Sequence, residues 1–153
     1  NTSQVMAIIA AAGLFGWVMT YMGLPAALIK GIGNLTDSRI VVLLLINIIL
    51  FILGMFMEGN AILILTVPIF VPIANQFGID LVHLGVLMCL NVMVGTITPP
   101  VGMCLYPVMS LGNLTMSRLV KAILPFLAVL VLTVFLITFA SPIVMFLPNL
   151  LMG

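Results

Sequence analysis

Two short polar interruptions in an otherwise apolar sequence carry the groups that could do chemistry. The first runs from Gly54 to Asn60 and contains Glu58. The second runs from Gly95 to Gly102 and contains Thr96 and Thr98. Carboxylate, hydroxyl, carboxamide and main-chain carbonyl oxygens are the ligands that hard cations prefer. Together the two segments are candidates for a site that binds a small cation such as Na⁺.

Two adjacent prolines, Pro99 and Pro100, are the reason to expect free carbonyl oxygens in the second interruption. They remove two backbone donors and push the preceding residue out of the α region, so the helix should break here. Gly95 and Gly102 would let the backbone approach its neighbours closely. The alternative is an ordinary proline kink in which the threonine hydroxyls bond back to the preceding turn, which is common in membrane helices.

Glu58 is the only carboxylate within an apolar stretch of the chain. An ionisable group near the centre of a bilayer costs about 2.5 to 3.5 kcal/mol on insertion scales, so such a residue is a functional candidate by default. The alternative is a turn glutamate at the aqueous interface between two ordinary spans. Asn60 has the same two interpretations.

Four further residues are interpreted as structural. Asn91 lies one turn before the break and is expected to brace it by a hydrogen bond to another helix. His83 follows the polar segment that contains Asp80, where a solvated position at the membrane interface is expected. Cys89 and Cys104 lie in apolar sequence without a CxxC pattern, so buried packing positions are expected for both.

The composition excludes most other classes of protein. Hydrophobic residues make up 65% of the chain and charged residues 5%, against roughly 25% charged in soluble domains. A soluble fold of this size could not cover so much apolar surface, so the chain is expected to lie in a membrane. A net charge of +1 gives no footprint for nucleic acid, and a single histidine without any catalytic motif argues against an enzyme.

Long apolar segments define the elements that would position the polar groups. An α-helix of twenty apolar residues is about 30 Å long, which matches the hydrocarbon core of a bilayer. Pro125 and Pro142 are expected to kink the last segment. The predicted elements of this single membrane domain, residues 1–153, are a span over 5–24, an interfacial loop over 25–39, an apolar region with a polar tip over 40–77, a broken span over 81–111 and a span over 122–147.

The region 40–77 is interpreted as a re-entrant helical hairpin. Its first limb, Ile40 to Leu53, would reach only about 21 Å as a helix, which is short of the ~30 Å core. Its second limb contains Pro68 and Pro72, which weaken a long helix. Two ordinary spans, or one span over 40–57 followed by a re-entrant segment over 58–78, stay open as alternatives.

Four segments together resemble the large membrane subunit of tripartite ATP-independent periplasmic (TRAP) transporters. They are GWVMTYMGLP at Gly16–Pro25, GMFMEGNA at Gly54–Ala61, PIFVPIANQFGID at Pro68–Asp80 and GTITPPVG at Gly95–Gly102. The resemblance runs nearly end to end over this chain, but it covers only about the C-terminal third of that subunit. It implies an all-α integral membrane fold of the ion-transporter type. The chain would be one half of an inverted repeat, with one re-entrant hairpin and one broken helix.

The same resemblance implies a function and a set of partners. The chain would belong to a sodium-coupled importer of a carboxylate solute, such as a C4-dicarboxylate or sialic acid, in the bacterial inner membrane. Its partners would be a small membrane subunit and a periplasmic binding protein, with Na⁺ as coupling ion and no other cofactor. The implied sodium ligands are Gly54, Glu58, Asn60, Gly95, Thr96 and Thr98, and Pro99, Pro100 and Gly102 form the helix break. Glu58 would either contact the ion or orient the hairpin tip.

Two other functions stay open on the sequence. One is a dicarboxylate or oxyanion carrier of the same superfamily that works without a binding protein. The other is a membrane scaffold that transports nothing, in which the polar tip and the proline break serve helix packing only. A scaffold should tolerate Thr96→Val and Glu58→Gln, whereas a carrier should lose or weaken its sodium coupling.

Overall fold

The computed structural model describes residues 2–102 and 104–152 of the chain, and the regular structure in them is helical. Most breaks between these helices lie at or close to a proline or a glycine, and the break at 36–38 between the second and third helices is an exception. Within the described residues there are eight helices: α1 (Thr2–Tyr21), α2 (Leu24–Leu35), α3 (Arg39–Phe56), α4 (Gly59–Gln76), α5 (Leu81–Thr96), α6 (Leu105–Gly112), α7 (Met116–Phe139) and α8 (Ser141–Met152).

Three of the described helices, α3, α4 and α7, are long and apolar enough to cross a membrane by themselves. A fourth candidate is the pair formed by α1 and α2, which are bent by 60° at a short break. Helix α5 is apolar but shorter. The membrane class expected from composition and the all-α fold implied by the resemblance are therefore confirmed, whereas the inverted repeat stays a prediction.

Helices α3 and α5 form the centre of the molecule, and each packs more extensively against the other than against any other helix. Their facing sides are apolar and almost fully buried, with Leu43, Ile46 and Leu50 on α3 and Leu84 and Met88 on α5. Helix α4 packs against both α1 and α5. The polar tip and the break lie at the ends of this central pair.

The interfacial loop predicted over 25–39 is wrong, because most of it is helix α2. Pro25 lies in the first turn of that helix, where its missing N–H has no helical partner to lose. Gly31 and Gly33 each lower the stability of a helix by about 1 kcal/mol relative to alanine, and the packing of α2 offsets this cost. On one side of α2, Ile32 is buried against α3 and α4.

The final span also differs from the predicted range 122–147. Helix α7 begins at Met116, so it includes the charged residues Arg118 and Lys121, and it continues through Pro125. It ends at Phe139 instead of bending at Pro142. The pyrrolidine ring of a proline clashes with the carbonyl four residues earlier, which for Pro142 is that of Thr138, so the helix stops there and α8 begins anew.

The solvated position predicted for His83 is wrong, since this side chain is fully buried. Its Nε2–H donates to the carbonyl oxygen of Ile137 at 2.9 Å, and its Nδ1 lies 3.4 Å from the Ser141 hydroxyl. Ile137 is in the last turn of α7, where carbonyls have no partner within the helix. The imidazole therefore caps the end of α7, and Arg39 reaches the same Ser141 hydroxyl from α3 at 3.4 Å.

Candidate functional site

The tip and the break meet where α3 and α5 touch backbone to backbone. A Cβ atom built on Gly95 would lie 2.7 Å from the Cα atom of Gly54, and one built on Gly54 would lie 2.9 Å from the Cα atom of Gly95. Real Cβ atoms do not approach other atoms so closely. Small residues allow this kind of contact between membrane helices. The two glycines that the sequence placed in separate segments are therefore direct neighbours.

The predicted helix break is present, and its backbone is tied to the tip. Helix α5 ends at Thr96 and α6 begins at Leu105. Between them the Gly102 N–H donates to the carbonyl of Met55, in the last turn of α3, at 3.3 Å. The Cys104 N–H closes the break by donating to the carbonyl of Thr96 at 3.2 Å. Gly102 has φ +50° and is buried, a conformation that favours glycine.

Helices α3 and α5 run in the same direction, so their C-terminal ends lie side by side. Asn47 of α3 contacts Asn91 of α5, and Gly54, further along α3, contacts Gly95, further along α5. This order of contacts means that the two helices are parallel. Each helix C-terminus carries the equivalent of about half a negative charge, because the peptide dipoles of the helix are aligned. Neither last turn contains a basic side chain. The end of this pair therefore has a negative potential that no basic side chain of these two turns offsets.

Both threonines of the break bond back to the preceding turn. The Thr96 hydroxyl donates to the carbonyl of Met93 at 2.8 Å, and the Thr98 hydroxyl donates to that of Val94 at 2.6 Å. Each hydroxyl thereby uses its proton and keeps its oxygen lone pairs as acceptors. The kink geometry that sequence analysis kept as an alternative is thus present, and it is compatible with two hydroxyl oxygens that serve as cation ligands.

The Glu58 carboxylate caps helix α4. One of its oxygens accepts the Asn60 N–H at 3.0 Å and the Asn60 side-chain amide at 2.9 Å, and the other accepts the Ala61 N–H at 3.0 Å. These contacts satisfy orphan donors at the start of α4 and place a negative charge at its positive end. Glu58 is predicted either to contact the ion or to orient the hairpin tip. The geometry of these hydrogen bonds is that of a residue that orients the tip.

Beside the glycine contact, a cleft of about 380 Å³ is lined by residues of both the tip and the break. The tip contributes Glu58 and Asn60, and the break contributes Thr96. Cys89 and Cys104 also line this cleft and are exposed, so the buried positions predicted for them are wrong. Thr98 is buried and is not among the residues that line this cleft.

The donor set suits a hard cation better than a transition metal. Residues 2–102 and 104–152 contain no group of three or more His, Cys, Asp or Glu side chains that could hold a metal ion. What the two segments do bring together is carbonyl, hydroxyl and carboxamide oxygen with a single carboxylate. Transition metals favour imidazole and thiolate, whereas oxygen ligands of this kind suit hard cations.

Sequence reasoning missed two groups at this site. Met55 takes part only through its carbonyl, which no side-chain pattern could reveal. Asn47 is the hydrogen-bond partner of Asn91 and the only uncharged polar side chain in α3. An isolated amide in an apolar helix was a usable signal, because such groups need a partner in a membrane. The helix-to-helix hydrogen bond expected for Asn91 is confirmed.

These features define an integral membrane protein in which a broken helix and a helical tip enclose a polar site between apolar helices. Comparison with known proteins gives the family. Residues 1–143 match the family model described as tripartite ATP-independent periplasmic transporter, DctM component. The chain belongs to this family of transporter permeases and is not an enzyme.

Individual relatives agree with this assignment. A sialic acid TRAP transporter large permease protein of Vibrio cholerae is 39% identical over 100% of this chain and 36% of its own length. A C4-dicarboxylate TRAP transporter large permease protein of Pseudomonas aeruginosa is 38% identical over 97% of this chain and 35% of its own length. An isethionate TRAP transporter permease protein of Oleidesulfovibrio alaskensis is 34% identical over 95% of this chain and 23% of its own length. The chain thus spans about a third or less of these relatives.

Proposed function

We propose that this chain forms the cation-binding half of a sodium-coupled TRAP transporter that imports a carboxylate or similar organic anion. The observation that carries the proposal is the convergence of the C-terminal ends of α3 and α5, which contact each other at Gly54 and Gly95 without a basic residue in either last turn. In secondary transporters, unwound carbonyls and half-helix C-termini coordinate Na⁺. The implied ligands are oxygens of these two glycines, of Thr96 and Thr98, and of Asn60, with Glu58 as a tip brace.

A hairpin that places this site near the middle of the bilayer is part of the proposal. The length of the first limb does not support it, because α3 has 18 residues and extends about 27 Å, which is longer than the predicted 14. A different observation does. Trp17 and Tyr21 are stacked and exposed on α1, as expected for residues at a membrane interface, and neighbouring Gly16 contacts Pro68 of α4.

The depth of the tip follows from that contact. About ten residues, or ~15 Å of helix, separate Pro68 from the start of α4 at the tip. If Pro68 lies near the interface, the tip lies ~15 Å deeper, which is close to the centre of a ~30 Å core. A site at this depth within one half of an inverted repeat is typical of broken-helix transporters.

The solute and partners are inferred from the relatives. Their names include sialic acid, C4-dicarboxylate and isethionate, which share a negative charge and a small polar body. The periplasmic component in the family description supports delivery by a binding protein and, with it, a location in a bacterial inner membrane. A small membrane subunit is proposed as the second partner. Each Na⁺ that enters down a 100 mV potential supplies about 2.3 kcal/mol toward import of such an anion.

Uptake by the full-length transporter in proteoliposomes tests the cation site. We expect Thr96→Val and Thr98→Val each to raise the Na⁺ concentration for half-maximal uptake about fivefold or more, because each removes one oxygen ligand at a cost of ~1 kcal/mol. The solutes to be offered, with the cognate binding protein, are sialic acid, succinate and isethionate. The measurement is the initial rate of uptake against Na⁺ concentration.

Thr66→Val provides the matched control. Thr66 is as buried as the two threonines of the break and bonds back in the same way, to the carbonyl of Ile62 at 2.7 Å, but it lies within α4. Its replacement should leave the sodium dependence unchanged. If the Thr96 and Thr98 variants behave like the Thr66 variant, these hydroxyls serve only to kink the helix, and the scaffold interpretation of the break gains support.

A further inference from the structure

A buried chain of three polar side chains connects α3, α5 and α7 below the site. The Asn91 amide on α5 donates to the side-chain carbonyl of Asn47 on α3 and to the main-chain carbonyl of Leu87 at 3.0 Å. The Asn47 amide donates to the Thr138 hydroxyl on α7 at 2.7 Å, and this hydroxyl donates to the main-chain carbonyl of Val134 at 2.7 Å. Asn91 and Thr138 are each 2% exposed and Asn47 is 6% exposed.

This amide chain, defined as Asn47, Asn91 and Thr138, lies close to the glycine contact. Asn91 is one turn before Gly95 on α5, and Asn47 is two turns before Gly54 on α3. Because the helices run in the same direction, the hydrogen bond between Asn47 and Asn91 and the contact between Gly54 and Gly95 are two successive levels of one interface. A shift of one helix along the other at the first level would move the carbonyls at the second.

The packing around the amide chain does not fix the register of the two helices by itself. The glycine contact has no side chains that could interlock. A cavity of about 240 Å³ lies beside the amides, among α3, α5 and α7, and its other walls are apolar. Apolar contacts tolerate small displacements, whereas a hydrogen bond between two carboxamides is directional. Between the bodies of the two helices the amide chain supplies this directional contact, and at their ends the Gly102 N–H bond to the Met55 carbonyl adds to it.

We propose that the Asn47–Asn91–Thr138 chain sets the Na⁺ affinity of the site by holding α3 and α5 in the register that brings Gly54 to Gly95. This inference rests on the proposed cation site and adds positioning residues to it. None of the three side chains touches the ion. They act through the backbone of the two helix ends, so their loss changes the geometry of the ligands and not their number.

Stabilisation of the purified full-length transporter by sodium alone tests the inference without knowledge of the solute. The unfolding temperature is measured as NaCl replaces choline chloride at constant ionic strength. A fit of the stabilisation to RT ln(1 + [Na⁺]/Kd) gives the half-saturating Na⁺ concentration, the midpoint of binding. We expect Asn47→Leu and Asn91→Leu to raise this midpoint about threefold or more. The double variant Asn47→Leu/Asn91→Leu should regain unfolding temperature relative to the single variants, because no unpaired amide is left, yet keep the raised midpoint.

A purely structural role gives a different pattern. In that case the single variants lower the unfolding temperature while the NaCl midpoint stays at its original value, in the single and the double variants alike, and the inference is overturned. The same holds if the midpoint recovers in the double variant together with the unfolding temperature. Thr133→Val, an exposed threonine of α7 that bonds back to Val129 at 2.9 Å, is the control and should change neither quantity.

Failure of the proposed function has its own signature. If the unmodified transporter is stabilised equally by NaCl and choline chloride, there is no sodium site for the amide chain to position. If the unmodified transporter responds to NaCl and the asparagine variants share its midpoint, the sodium site stands and only the positioning role is wrong.

Discussion

Replacement of Gly95 by alanine is expected to reduce solute uptake by the full-length transporter more than tenfold. The new methyl group would lie 2.7 Å from the Cα atom of Gly54, 2.9 Å from its carbonyl carbon and 3.1 Å from the carbonyl oxygen of Phe51. All three are backbone atoms that cannot rotate away, so α3 and α5 must separate. Overpacking of this kind typically costs 1–3 kcal/mol, and here it also parts the two helix ends that form the proposed site.

The measurement is initial uptake in proteoliposomes, normalised to the amount of folded transporter, with Gly54→Ala as the reciprocal variant. Gly85→Ala is the matched control, because Gly85 belongs to the same helix and a Cβ atom there would meet nothing within 4 Å. That substitution should leave uptake unchanged and stabilise α5 slightly, since alanine is the better helix former. Equal uptake by the Gly95 and Gly85 variants would contradict the close contact between α3 and α5.

Local chemistry explains which parts of the site the sequence could predict. The break between α5 and α6 depends on Pro99 and Pro100 themselves, whose effect on a helix needs no tertiary context. Likewise, the membrane class follows from composition alone. The polar tip was visible because Glu58 is isolated among apolar residues, and the structure gives it a local role as the cap of α4.

Contacts between distant residues explain what the sequence could not reveal. Helix α2 contains glycines and a charge that are typical of a loop, and its packing against α1 and α4 compensates for them. The burial of His83 depends on a carbonyl of Ile137, 54 residues away. The partner of Asn91 is 44 residues distant, and the two glycines that meet lie in different helices. A local sequence pattern cannot reveal contacts between residues so far apart in the chain.

The site combines two opposite electrostatic demands within a few residues. The C-terminal ends of α3 and α5 favour a cation, whereas the N-terminal end of α4, which begins directly after α3, favours an anion. Glu58 lies between them and satisfies the start of α4. A carboxylate held in this way can strengthen the negative potential around the proposed Na⁺ position without leaving its own hydrogen bonds.

Glu58→Ala is therefore expected to reduce uptake about tenfold, the second largest effect after the Gly95 substitution. It removes three hydrogen bonds at the tip and the charge that complements α4. Loss of an N-cap costs about 1 kcal/mol, and loss of a favourable charge at a helix end up to another 1 kcal/mol, so the tip should lose its fixed conformation. Uptake in proteoliposomes, at low and saturating Na⁺, measures the effect.

Glu58→Asp and Glu58→Asn separate the role of a cap from that of an ion ligand. Aspartate and asparagine are both favoured caps, so both should recover most of the uptake if Glu58 serves to orient the tip. Recovery by aspartate but not by asparagine, with a higher Na⁺ requirement in the latter, would instead mean that the charge contributes to cation binding. Asp80→Ala is the control for cap loss elsewhere, since Asp80 caps α5 through the N–H groups of Val82 and His83. It should lower stability at that end of the molecule and leave the sodium dependence of uptake as it is, because the carboxylate of Asp80 lies at the start of α5 and the proposed site lies at its end.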